Sequence, residues 1–148
     1  MPAKYKRIAA DEIETNVSNV AAPSTPNILP FANPPNPLHW WRSRSPHAFR
    51  GKDVMVIRQA LLLADPVDFD WMRAITGSSP TAIRIAVEQL KNHRITAPVI
   101  DDVLSAVVCC AIEGNAASSI LISSALRRRS KIDPACLSLS SLWLVARF

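Results

Sequence analysis

At 148 residues, with 17 Lys and Arg against 12 Asp and Glu, the chain has room for one domain, or for one domain and a tail, and its formal charge is +5. The surplus sits at the front: residues 1–52 carry seven basic against three acidic side chains and eight of the 12 prolines, whereas residues 53–148 carry ten against nine. Without a dense Lys or Arg block that surplus reads as a solubilising tail rather than a dedicated anchor for nucleic acid or anionic lipid.

Three cysteines, Cys109, Cys110 and Cys136, cannot all pair, and none has a Cys or His partner at zinc spacing. Reduced thiols, no metal and no cofactor are the expectation. The opening MPAKYKRIAADEIE has no apolar run of signal-peptide length behind its positive charges, so a cytoplasmic location is expected.

Along residues 1–20 basic and acidic patches alternate, with Ile8, Ile13 and Val17 as spaced aliphatics that allow a transient helix. Residues 21–37 hold six prolines and no charge, a composition that opposes helix and sheet alike and predicts an extended or disordered linker. Leu38 to Arg50, LHWWRSRSPHAFR, differs in kind, because large aromatics among arginines need something to cover them. Trp40, Trp41 and Phe49 either fold back onto the domain as anchors or, with Arg42, form a binding motif for another protein. A nucleic-acid or membrane-surface contact is the other use of such a segment.

DVMVIRQALLLA, residues 53–64, is interrupted only by Arg58 and Gln59, so a helix there is apolar on most sides and central to the packing. Asp65-Pro66 signals a second helix running to Gly77, and Ser79-Pro80 a third running to about His93, with Ile83, Ala86, Val87 and Leu90 inward and Arg84, Glu88, Lys91 and Asn92 outward.

From Val99 to Leu126 the chain is nearly uncharged. Apolar residues from Val99 to Ile112 repeat at three and four, Gly114 breaks the run, and Asn115 is a good N-cap for a further helix with Ile120, Leu121 and Leu126 on its apolar side. A membrane span is the competing reading, but Glu113, Gly114 and Asn115 would lie near its middle, and a membrane partner is not expected. Asp133-Pro134 opens a closing helix with Leu137, Leu139, Leu142 and Trp143. The prediction is an all-α fold: a small bundle of about six short helices in hairpins over residues 53–148, preceded by a disordered basic Pro-rich arm over residues 1–52 that holds the aromatic segment at 38–50.

AITG at residues 74–77 is echoed by AIEG at 111–114. The segment AIEGNAASSILISSAL resembles the turn of Sel1-like and tetratricopeptide arrays over about one hairpin, without their aromatic and further glycine positions, and a resemblance of that extent implies a helical hairpin and no more.

No GxSxG elbow, His-paired nucleophile or carboxylate pair accompanies the many serines, so the chain is not expected to be an enzyme. An adaptor-like helical protein that binds another protein leads. A helix-turn-helix DNA-binding regulator is second, with Arg84, Gln89, Lys91 and Asn92 offered to a groove and Arg127, Arg128 and Arg129 to phosphates, although the Arg run also suits the negative end of a helix. Export by a signal-less secretion system is third.

Overall fold

In a computed structural model the chain is described over residues 35–64 and 68–148, all within the compact unit Asn33–Phe148. The expectations for residues 1–34, and the helix start at Asp65-Pro66, lie outside the described residues. Within them the fold is all-α, with seven helices and no strand: α1 Trp40–Ser43, α2 Gly51–Ala64, α3 Phe69–Ile75, α4 Ser79–Asn92, α5 Pro98–Ile112, α6 Ala116–Arg129 and α7 Ala135–Val145.

The centre is α5. Its Val, Leu, Ile and Cys side chains project on all sides, and an unbroken run from Val103 to Ala111 is buried. Helices α2, α4 and α6 pack directly on it, and α7 lies against α6. The span reading fails at Glu113 to Asn115, where α5 ends: among the described residues no helix is long and apolar enough to cross a membrane.

Two glycines make the same turn. Gly77 and Gly114 have φ of 114° and 97°, in the left-handed region that side chains oppose. After α3 the Gly77 amide donates to Ala74 and the Ser78 amide to Arg73. After α5 the Gly114 amide donates to Ala111 and the Asn115 amide to Cys110. These paired bonds close each helix with a Schellman motif. The echo between AITG and AIEG is thus a repeated turn, and Asn115 goes on to cap α6 by accepting from the Ser118 amide at 2.9 Å.

The helical unit begins well before Asp53. Leu38, Trp41, Pro46 and Phe49 are buried, in a stretch formed by short 3-10 turns at Pro37–His39 and Pro46–Ala48 with α1 between them. Helix α2 starts two residues early, at Gly51, because Asp53 works from its third position, where Oδ2 accepts from the Arg50 amide at 2.7 Å.

Three faces differ from the expected ones. Ile120 is exposed, and α6 instead buries Ser118, Ser119, Ile122, Ser123, Ala125 and Leu126. Small side chains let neighbours approach closely, and the buried hydroxyls find acceptors: Ser123 donates to the Ser140 carbonyl at 2.8 Å. Leu137 lies outside as well, and the closing helix buries Cys136, Ser140 and Trp143. In α4 the small Thr81 and Ala82 join Ala86 and Leu90 in the core, with Ile83 and Val87 half-buried.

Candidate functional site

Two carboxylates hold the aromatic segment: Asp53 of α2, whose Oδ2 lies 3.4 Å from Arg44 Nη2, and Asp101. Asp101 lies in the first turn of α5, where the amide dipoles favour negative charge. Its Oδ1 accepts from Trp41 Nε1 at 2.8 Å and from Arg42 Nε at 2.9 Å, while His39 Nε2 stands 3.4 Å from Oδ2. Beside it the Ser105 hydroxyl donates to the Leu38 carbonyl at 3.0 Å. Trp41 is 0% exposed and Phe49 is in ring contact with Trp143 at 5.8 Å. Trp40, half-buried, meets Phe49 edge-on, and the Arg44 guanidinium lies 4.7 Å from its ring centre. Trp41 and Phe49 therefore serve the interior of the fold, while Arg42, a quarter exposed, is tied to Asp101.

The basic run at the end of α6 is also engaged. Arg128 Nη1 donates to the Leu90 carbonyl at 2.9 Å, in the last turn of α4, and Arg129 Nη1 donates to the Ile95 carbonyl at 3.3 Å. Arg129 further lies 5.9 Å from the Trp41 ring centre. The first satisfies a carbonyl that the end of α4 leaves open, the second one in the connection to α5. Arg127 and Lys131 point outward, too few to make the phosphate-binding cluster that the sequence suggested.

Helices α3 and α4 do form a hairpin, but its electrostatics disfavour nucleic acid. Arg84 Nη2 bonds Asp70 Oδ2 at 2.6 Å, with Glu88 4.0 Å from its other amino group. Both helices and the start of α5 line a groove of about 310 Å³ whose wall includes Asp68, Asp70, Glu88 and Asp102 beside Trp71. With Arg84 held by Asp70 and flanked by Glu88, its guanidinium is not left open to a phosphate backbone. Gln89 is half-buried, and Lys91 and Asn92 lie exposed at the far end of α4.

Buried thiols are chemically quiet. Burial in α5 pushes the Cys109 thiol up to about 12 and raises that of Cys110, and burial also raises Cys136, whose neighbour Asp133 adds to the effect. Nucleophilic chemistry needs a thiolate in a positive, accessible setting, which none of the three has. Among the described residues no three metal-ligating side chains come together.

What remains is an apolar surface that sequence reasoning placed inside. Helix α2 buries Asp53, Val54, Ile57 and Leu61, and its opposite side presents Met55, Val56, Leu62 and Leu63, of which Met55 is 66% and Leu63 is 88% exposed. Gln59 and Lys52 are the polar members of that side. On α3 Phe69, 78% exposed, and Met72 add to the exposed apolar surface. The signal was present in the sequence as a helix apolar on most sides, a pattern of enclosed helices. Here the enclosure is half complete.

No protein-family profile, curated protein or solved structure matches this chain.

Proposed function

We propose that this chain is a non-catalytic interaction protein that binds another protein chain through the outward side of α2. One observation carries the reading: four large apolar side chains at helical spacing, on the helix side opposite the core, are exposed, Met55 and Leu63 most of all. Contiguous apolar surface of this kind marks a protein interface, because covering it removes several side chains from water together, at roughly 25 cal/mol for each Å². The buried thiols and the engaged basic run favour this reading over an enzyme or a phosphate binder, and three free cysteines suit a reducing compartment such as the cytoplasm.

The test is a photo-crosslinking residue at Leu63, and in parallel at Lys131, in cells that express the chain. Adducts identified by mass spectrometry at position 63 and missing at 131 support the reading. Equal labelling at both positions, or none at either, removes it.

A further inference from the structure

We infer that the partner at this surface is a second copy of the same chain, joined by antiparallel packing of α2 on α2. The inference rests on the interaction reading and adds the identity of the occupant.

The argument is the arrangement of the face. Met55 and Val56 precede Gln59 by four and three residues, and Leu62 and Leu63 follow it by three and four. A two-fold axis passing Gln59 therefore sets Met55 against Leu63 of the other copy and Val56 against Leu62, apolar on apolar along the whole seam. Isologous contacts demand this self-complementarity, since each residue meets its symmetric counterpart. Gln59 meets Gln59, and a carboxamide carries both donor and acceptor, so the pair satisfies itself.

Charge fixes the direction. Lys52 is the charged residue on this side of α2, in its first turn. Parallel packing would set the two ammonium groups side by side. Antiparallel packing separates them by about 20 Å, at 1.5 Å rise per residue, which exceeds the screening length in physiological salt. It also brings each Lys52 to the carbonyl end of the opposite helix, where the backbone dipole is negative. A single-helix seam is smaller than the roughly 800 Å² per partner of a standard interface, so a reversible, concentration-dependent association is expected.

Sedimentation equilibrium on the full chain, from about 1 to 500 µM, reads the outcome. The weight-average mass is expected to rise from 16.2 kDa toward twice that value. Leu63→Glu, on a side chain that supports no core packing, is expected to hold the mass at 16.2 kDa with an unchanged circular dichroism spectrum. A covalent readout is independent of that variant: Gln59→Cys is expected to form a disulfide-linked dimer under mild oxidation, and Ile120→Cys, on an exposed side chain elsewhere, is not.

A chain that stays monomeric at the highest concentration overturns the inference, as does a dimer that survives Leu63→Glu. If the chain is monomeric while the crosslinker at Leu63 captures a different protein, self-association fails and the interaction reading stands. A monomer with no adduct at Leu63 ends both.

Discussion

Helices α2 and α5 are built from much the same residues and meet opposite fates. Both are strongly apolar, and either could fill the middle of a bundle by composition. α5 is covered on every side by α2, α4, α6 and the 38–50 segment, whereas α2 is covered on one side and wet on the other. Burial is thus decided by what packs around a helix as well as by its own pattern. An apolar helix with one open side has an unmet need for a neighbour.

Substitution in α5 tests the covered side most severely. Leu104→Ala is expected to cost about 2–5 kcal/mol, through lost burial and the cavity left in the core. Chemical denaturation measures it, and a cost under ~1 kcal/mol would mean that α5 is not the centre of the packing.

Next in size, Asp101→Ala leaves Trp41 Nε1 and Arg42 without their acceptor and should cost roughly 2–3 kcal/mol. The Trp41 fluorescence should shift as its surroundings become wetter. A melting temperature equal to that of the parent would show that Trp41 is held by packing alone.

Alkaline pH probes the same enclosure more gently. The folded state keeps the Cys109 proton up to about pH 12, while the unfolded chain releases it near the ordinary value of 9.0. Stability is therefore full below about pH 9 and declines as pH rises from there toward 12. Melting curves between pH 8 and 11 should slope downward, and Cys109→Ala should flatten the slope.

The smallest effect belongs to the open side. Leu63→Ala should change the stability of the dilute protein by no more than about 0.5 kcal/mol, since the side chain touches little. A larger loss would mean that α2 is covered in solution even at low concentration. That result would sharpen the contrast with α5 by showing the cover in place.

Much of the fold was legible in the sequence, for local reasons. Gly114 with Asn115 marked the α5–α6 turn because a left-handed position and a cap are needed at adjacent residues, and Ser79-Pro80 marked α4 because proline suits the first helical turn. The aromatic segment could be recognised as needing cover, but its acceptor lies 60 residues away from Trp41, and nothing near either residue announces the other. Periodicity placed Ile120 inside α6 and could not see that serines pack closer, or that Arg128 and Arg129 reach back to carbonyls at Leu90 and Ile95. The open side of α2 was hidden for the opposite reason. A helix apolar all round gives no hint which side its own chain leaves bare.

The distant carboxylate at Asp101 also sets an order of events during synthesis. The ribosome delivers Trp41 long before the carboxylate that will receive its indole N–H, and the loop between must close against chain entropy that grows with its length. Until the start of α5 has emerged Trp41 has no acceptor, and until Trp143 of α7 has emerged Phe49 has no ring to pack on, so nascent chains halted before Asp101 should display Trp41 to chaperones and full-length chains should conceal it.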